Sequence, residues 1–190
     1  MLAVEAQEPF DSDAHLFEIK WDGIRCLAFI EAGRVCLQSR ELVEITAQFP
    51  ELEGMAGLPD GTVLDGELVS MRGAVPCLAA IQCRVQLQDR NRIQLLSRSS
   101  PVVYIVFDLL YLRGDSIMAK PLVERRCRLE AVVDGFKTAP VALSEAVLTQ
   151  GRDLFQVAMK LGQEGIMAKL LDGHYAAGRR TAGWRKIKRK

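Results

Sequence analysis

Several features that mark other protein classes are scarce or missing in this sequence of 190 residues. No apolar run approaches the ~20 residues of a membrane-spanning helix, and residues 1–13 carry acids where a secretory signal would have a basic start. With 2 histidines, His15 and His174, a histidine-based zinc site is disfavoured. The 5 cysteines show no C-x-x-C spacing. We therefore predict a reduced, cytoplasmic protein that does not contact membranes.

Charge is nearly balanced, with a formal net charge of +1, but basic residues gather near residue 190. They are Arg179, Arg180, Arg185, Lys186, Lys188, Arg189 and Lys190, with no acid among them. Because Lys186 and Lys188 alternate with Ile187, as neighbours on a strand do, we expect these two lysines to face one site. The other basic residues are expected to contact a phosphate backbone.

The hydrophobic pattern predicts one α+β unit of two antiparallel sheets with flanking helices, occupying residues 1–190. Strands are expected at 15–20, 24–30, 34–38, 61–71, 102–112, 165–171 and 184–188, and helices at 46–56, 76–87, 122–133 and around 154–161. Turn signals at Asp22-Gly23 and Ala32-Gly33 predict that the first three strands form a meander. Thr46 is expected to cap the first helix.

Five short segments carry candidate chemistry: 18–25 (EIKWDGIR), 64–68 (LDGEL), 106–109 (VFDL), 164–169 (EGIMAK) and 184–188 (WRKIK). Lys20 stands between two predicted strands, beside an acid, a turn glycine and an arginine. An amine in that setting can attack a phosphate. Taken alone, the first segment would indicate a surface lysine, so the ordered set of five carries the interpretation.

In this order, the segments resemble those of covalent nucleotidyltransferases, most closely the adenylation domain of ATP-dependent DNA ligases of the bacterial end-joining type. The resemblance covers nearly the whole chain. It implies a covalent nucleotidyltransferase (ATP-grasp-like) ligase core with ATP held between two sheets. It also implies that Lys20 attacks the ATP α-phosphate to form lysyl-AMP. The AMP would then pass to a 5′-phosphate at a DNA break, which a 3′-OH seals.

The resemblance further assigns contacts to the nucleotide. Glu18 would accept a hydrogen bond from the adenine amino group, and Phe107 would stack on the base. Arg25 and Arg40 would reach the ribose or the phosphate of nicked DNA.

Charged residues of the later segments are assigned to the phosphates and the metal. Lys186 and Lys188 would contact the α-phosphate, and Lys169 would lie beside a phosphate or the metal. Glu67 and Glu164 would bind Mg²⁺ or Mn²⁺, with Glu67 also contacting the ribose. Each of these residues also has an ordinary structural interpretation, such as core packing for Phe107 or a strand-end lysine for Lys169.

Two departures from the family pattern concern local DNA contacts: Glu41-Leu42 replaces a common Asn-Gly, and Ala176-Ala177 replaces a turn that commonly contains proline. The chain also ends where an OB-fold domain usually follows, so we expect a catalytic core with the OB-fold domain absent. Expected partners are nicked or broken double-stranded DNA, with a separate OB-fold domain or end-joining proteins as further candidates.

Two alternative functions stay open at this point. An RNA ligase or a GTP-using capping nucleotidyltransferase would share the lysine chemistry. A nucleotide-binding or DNA-end-binding module without efficient turnover would share the fold.

Overall fold

The computed structural model describes residues 1–72 and 75–189. The strands are β1 Leu2–Glu5, β2 Ser12–Ile19, β3 Ile24–Glu31, β4 Arg34–Ser39, β5 Thr62–Val69, β6 Met71–Arg72, β7 Val75–Pro76, β8 Val103–Leu112, β9 Asp115–Ser116, β10 Val141–Leu143, β11 Ala146–Thr149, β12 Gly165–Leu170 and β13 Arg180–Lys188. The α-helices are α1 Leu78–Val85, α2 Arg90–Ser99, α3 Leu122–Val133 and α4 Gly151–Lys160, and 3₁₀-helices span Thr46–Gln48 and Pro50–Gly57.

Two larger sheets form the body of the molecule. Sheet A has the strand order β1-β13-β12-β2-β11, and sheet B has the order β10-β8-β5-β3-β4, with β9 added beside β8. The predicted α+β class with flanking helices is confirmed, since α4 packs against sheet A and α3 packs against sheet B. The predicted antiparallel pairing holds for most strands of both sheets but not for two pairs. β1 pairs with β13 in parallel, and β10 pairs with β8 in parallel.

The predicted meander of the first three strands is wrong. β2 pairs with β11 and β12 in sheet A, whereas β3 pairs with β4 and β5 in sheet B. The Asp22-Gly23 segment is therefore a crossover between sheets. A Cβ at Gly23 would lie 2.1 Å from the Leu68 carbonyl oxygen, so this glycine permits a close backbone approach. The second turn is confirmed: Ala32 and Gly33 have φ of 50° and 69°, as in a tight hairpin.

The helix predicted at 46–56 is instead two 3₁₀ segments, and Thr46 is not its cap. The Thr46 hydroxyl accepts a hydrogen bond from the Leu37 backbone N–H at 2.9 Å, which ties this segment to β4. The helix predicted at 122–133 is confirmed with the same bounds. We did not predict α2, although Asp89 caps it through the N–H groups of Asn91 and Arg92.

The interior holds one large apolar cluster on sheet B and smaller clusters around sheet A. None of the helices in residues 1–72 and 75–189 is long and apolar enough to span a membrane.

Buried ion pairs explain why acids occur inside apolar strands. Asp108 in β8 accepts two hydrogen bonds from Arg125 of α3, at 2.7 and 2.8 Å, and both side chains are fully buried. The guanidinium also donates to the carbonyl oxygens of Lys120 and Gly173. This pair fastens α3 to sheet B.

Candidate functional site

A cleft of about 710 Å³ lies between the two sheets. Its lining includes all nine residues predicted to contact the nucleotide: Glu18, Lys20, Arg25, Arg40, Glu67, Phe107, Lys169, Lys186 and Lys188. The tenth predicted residue, Glu164, touches two of these lysines. Segments that are far apart in sequence therefore converge on one site.

Lys20 is placed by the end of β2, immediately before the crossover to sheet B. Its backbone N–H donates to the Gly165 carbonyl at 2.9 Å, which holds it beside the start of β12. A Cβ at Gly165 would lie 2.0 Å from the Ile187 carbonyl, so only glycine lets β12 and β13 approach this closely here. The glycine of the EGIMAK segment thus has a packing role.

Glu164 joins the candidate nucleophile to β13. Lys20 Nζ donates to Glu164 Oε2, and Lys188 Nζ contacts Oε1 of the same carboxylate. Burial opposes ionisation of Glu164, but the hydrogen bonds from Lys188 and Lys20 hold its pKa below the ordinary value. The same bond raises the pKa of Lys188. One carboxylate therefore keeps two ammonium groups side by side.

The expected alternation on β13 is confirmed. Ile187 is fully buried, while Lys186 and Lys188 line the cleft. Cross-strand pairing places Lys186 opposite Met167 of β12, and Met167 opposite Glu18 of β2. These three side chains are neighbours on one face of sheet A, with Met167 between the positive Lys186 and the Glu18 carboxylate.

Glu67 lies in the cleft wall on β5, directly opposite Arg25 of β3. Burial raises its pKa to about 7, more than the nearby Lys20 and Arg25 lower it. Within the described residues, its carboxylate has no hydrogen bond or ion pair, and no ready cluster of three metal-binding side chains is formed. Mg²⁺ commonly uses one or two carboxylates plus substrate phosphates and water. Glu67 and Glu164 fit a cation that arrives with a nucleotide.

Replacing Glu67 with glutamine should stabilise the metal-free protein at pH 8. A carboxyl group with a folded pKa of about 7 and an ordinary value of 4.5 favours folding below pH 4.5, and that contribution is lost as pH rises to about 7. Above pH 7, the ionised Glu67 lowers the free energy of unfolding by on the order of 3 kcal/mol. This follows from about 1.4 kcal/mol for each unit between the ordinary and the folded pKa. Urea unfolding in EDTA at pH 8 and at pH 4.5 measures the difference.

Glu41, an exposed acid on the rim of the same cleft, provides the matched control. Glu41→Gln should leave the free energy of unfolding within about 0.5 kcal/mol at both pH values. A loss of stability in Glu67→Gln at pH 8 would mean that Lys20 and Arg25 outweigh burial.

The opposite end of the cleft combines a carboxylate with aromatic rings. Glu18 is 2% exposed, and its Oε2 accepts a hydrogen bond from Lys169 Nζ at 2.6 Å. The same ammonium lies 4.3 Å from the Phe107 ring centroid and 4.6 Å from that of Trp184. Phe107 and Trp184 pack edge to face. In this structure the Lys169 ammonium contacts Glu18 and the two aromatic rings, and its predicted phosphate contact stays a prediction.

The two predicted arginines differ in their freedom. Arg25 is bound through Nε and Nη2 to both oxygens of Asp65, at 3.0 and 2.6 Å, and Nη2 also donates to the Tyr175 hydroxyl. Its guanidinium is therefore largely occupied inside the protein. Arg40 directly follows β4 and is exposed at the cleft rim. Of these two, Arg40 has the more accessible guanidinium.

The basic residues near the end of the chain are distributed between the cleft and the surface. Arg180 lines the cleft and donates to the Ala3 carbonyl. Arg185 lies over the Phe10 ring at 5.6 Å. Lys190 lies outside the described residues.

Sequence reasoning missed several residues that hold the site together. Arg126 binds Glu18 from behind, and Tyr175 donates to Asp65 at 2.8 Å. Trp184, the first residue of the WRKIK segment, has no predicted role, yet its ring lies 4.6 Å from the Lys169 ammonium. The signal for Trp184 was its alternation with Lys186 on one strand, whereas no local pattern marks Arg126 or Tyr175.

Comparisons with known proteins agree with this geometry. The family model described as ATP dependent DNA ligase domain matches residues 1–188. The SPbeta prophage-derived DNA ligase-like protein LigB of Bacillus subtilis is 33% identical over 188 residues, which cover 98% of this chain and 66% of that protein. The multifunctional non-homologous end joining protein LigD of Mycobacterium bovis is 35% identical over 175 residues, covering 90% of this chain and 21% of LigD.

Solved structures give the same result. The ligase domain of M. tuberculosis LigD superposes with a TM-score of 0.81 at 31% identity, covering 98% of this chain and 59% of that one. A mycobacterial DNA ligase D complexed with ATP and MES has a TM-score of 0.78, also at 31% identity, covering 98% of this chain and 58% of that one. Because the family model matches residues 1–188 and the solved ligase domain superposes over 98% of the chain, this chain belongs to the ATP-dependent DNA ligase domain family.

Proposed function

We propose that this domain transfers AMP from ATP to Lys20 and then to the 5′-phosphate of a DNA break, where a 3′-OH attacks the adenylated phosphate, forms the phosphodiester bond and releases AMP. The observation that carries the proposal is the position of Lys20 Nζ: it lies in the cleft, on the Glu164 carboxylate that also holds Lys188. A nucleophilic amine needs nearby cations to stabilise the phosphate that it attacks, and this arrangement supplies one within the same ion-pair cluster.

In the first step, Lys20 gives up a proton to water and its Nζ attacks the α-phosphorus of ATP. A P–N bond forms, the P–O bond to the β-phosphate breaks, and pyrophosphate leaves with the electron pair. Lys186 and Lys188 are proposed to bind the α-phosphate oxygens. Because both line the cleft from the same strand, they can act as a pair of donors fixed before the substrate binds.

The base is proposed to lie at the end of the cleft formed by Glu18, Phe107 and Trp184. The carboxylate offers acceptors for an amino group, and the rings offer surface for stacking. The ribose would then fall beside Glu67, and the phosphates would reach the lysines. A bound Mg²⁺ or Mn²⁺ would supply charge neutralisation of the phosphates, with Glu67 and Glu164 as its protein ligands.

The intact mass of the purified protein tests the first step. After incubation with ATP and Mg²⁺, the protein should gain the mass of one AMP, and added pyrophosphate should remove it. GTP should give little adduct, because the 6-oxo group of guanine is an acceptor facing an acceptor. An adduct formed equally from GTP would favour a capping-type nucleotidyltransferase. Nucleotide binding with no adduct would favour the binding module without turnover.

Substitution of the two predicted metal ligands should depress adduct formation strongly. Glu67→Ala and Glu164→Ala each remove a carboxylate proposed to hold the cation, so we expect losses of at least about 10-fold. Glu41→Ala, on the cleft rim, should change the rate by less than about 2-fold. Single-turnover labelling with radioactive ATP measures all three variants. Equal rates in the three would contradict the assigned metal site.

The sealing steps and their partners are proposals as well. Nicked or broken double-stranded DNA would supply the 5′-phosphate and the 3′-OH, whereas an RNA ligase would prefer RNA ends. An OB-fold domain, in the same or a separate polypeptide, and end-joining proteins are the proposed partners. A cytoplasmic location stays a prediction. Sealing of nicked duplex DNA in the presence and absence of an added OB-fold domain tests this group of proposals.

A further inference from the structure

A second cation stands behind the carboxylate at the base end of the cleft. Arg126 of α3 donates from Nη1 to Glu18 Oε1 at 2.8 Å, while Lys169 donates to Oε2 at 2.6 Å. The Arg126 side chain is 8% exposed and that of Glu18 is 2% exposed. Each oxygen of one buried carboxylate is therefore fixed by a different positive group.

Arg126 is itself anchored on two other sides. Its Nη2 donates to the Ser144 carbonyl oxygen, and its Nε donates to Glu130 Oε1 at 3.0 Å. Glu18 and Lys169 line the cleft, whereas the cleft lining does not include Arg126. Arg126 therefore does not face the cleft itself, and Glu18 is the cleft-lining side chain to which it donates a hydrogen bond.

This arrangement determines which groups Glu18 can recognise. An ionised carboxylate accepts at about four lone-pair positions and donates none. Arg126 occupies one position on Oε1 and Lys169 one on Oε2, so each oxygen retains an acceptor position in a fixed plane. A partner in the cleft must then bring an N–H donor to that plane. The 6-amino group of a purine does so, and a 6-hydrogen or a 6-oxo group does not.

We propose that Arg126 is a positioning residue that, together with Lys169, fixes Glu18 as the acceptor for a 6-amino purine. The inference rests on the proposed function, because it takes ATP as the nucleotide of the cleft. A carboxylate held by two charge-assisted bonds loses little orientational freedom on binding, and a site built around a polar contact rejects an analogue that lacks the group. Selection of the base thus depends on a side chain that does not touch the base.

The test compares adduct formation from ATP with that from purine riboside triphosphate, which has hydrogen in place of the 6-amino group. The wild-type protein should prefer ATP in kcat/KM by at least about 10-fold, the range of one hydrogen bond to a charged group. Arg126→Met should reduce that preference by about 5-fold or more, mainly through KM for ATP. Arg128→Met, an exposed arginine on the same helix, should leave the preference unchanged.

A double-substitution cycle separates positioning from general damage. If Arg126 acts through Glu18, then Arg126→Met should have no further effect on the preference for ATP when Glu18→Gln is already present. Circular dichroism melts verify that each variant is folded. Arg126→Lys is a second, milder variant. It keeps the positive charge, but one ammonium group cannot bond Glu18, Ser144 and Glu130 together. The preference for ATP should therefore fall less than in Arg126→Met.

The outcomes distinguish the two levels of the proposal. A wild-type protein that forms no adduct from ATP would contradict the proposed function itself. A wild-type protein that is labelled and selective, with Arg126→Met and Arg126→Lys equally selective, would overturn the positioning role alone. Independent, multiplying effects of Arg126→Met and Glu18→Gln on the preference would overturn it as well.

Discussion

Lys20→Ala will give a folded protein that takes up no AMP from ATP. No other lysine stands at the crossover between the two sheets, and Lys20 Nζ is the amine proposed to form the P–N bond. We expect adduct formation to fall by more than about 1,000-fold, as for the loss of other covalent nucleophiles. Intact mass and labelling with radioactive ATP measure the loss.

The fold should survive this change. The Lys20 and Glu164 side chains are 22% and 29% exposed, and Glu164 keeps its contact with Lys188. Exposed or half-exposed pairs contribute at most about 1 kcal/mol, so the free energy of unfolding should change little. Lys160→Ala, at the exposed end of α4, is the matched control and should be labelled at the wild-type rate. Full labelling of Lys20→Ala would place the nucleophile elsewhere.

Asp108→Ala should destabilise the domain by about 3–5 kcal/mol. The substitution leaves the fully buried Arg125 guanidinium without its carboxylate, and an uncompensated charge in the interior is costly. Loss of Asp108 also releases α3 from β8, on the sheet that carries Phe107 into the cleft. Urea unfolding followed by circular dichroism gives the change in the free energy of unfolding.

A surface pair at the start of α3, between Lys120 before the helix and Glu124 in its first turn, provides the comparison. Lys120 and Glu124 are 3.1 Å apart with side chains 40% and 48% exposed, so Glu124→Ala should cost no more than about 0.5 kcal/mol. The double substitution Asp108→Leu with Arg125→Met should be less destabilising than Asp108→Ala, because no unpaired charge remains. A cost below about 1 kcal/mol for Asp108→Ala would mean that water or a neighbouring carbonyl compensates Arg125.

Local patterns were sufficient to predict the strands that carry the site. The alternation of Lys186 and Lys188 around Ile187 is a property of three neighbouring residues, and the structure confirms it. The strands at 61–71 and 102–112 were equally clear from their runs of branched and aromatic residues. The order of the five segments supports a resemblance that predicts ten site residues. Nine of them line the cleft, and Glu164 contacts two of those nine.

Long-range pairing could not be predicted in the same way. The turn signal at Asp22-Gly23 does not distinguish a hairpin from a crossover. In a tight hairpin the glycine supplies a positive φ, whereas here it permits a close approach to the Leu68 carbonyl. The partner of Glu18 on α3 is 108 residues away, and Arg126 in the sequence is one arginine among several on a helix. The parallel pairing of β1 with β13 joins residues at opposite ends of the sequence and leaves no local trace.

The crossover also determines how the candidate nucleophile, Lys20, is connected to the two sheets. Lys20 belongs to the short link between β2 and β3, and its backbone hydrogen bond to Gly165 ties it to sheet A, whereas Glu67 in the cleft wall belongs to sheet B. A change in the angle between the sheets would therefore change the distance from the Lys20 amine to Glu67, while its contact with Glu164 beside β12 is kept. The reactivity of Lys20 toward an amine-directed acylating reagent should therefore respond to a change in the angle between the sheets, if a nucleotide causes one.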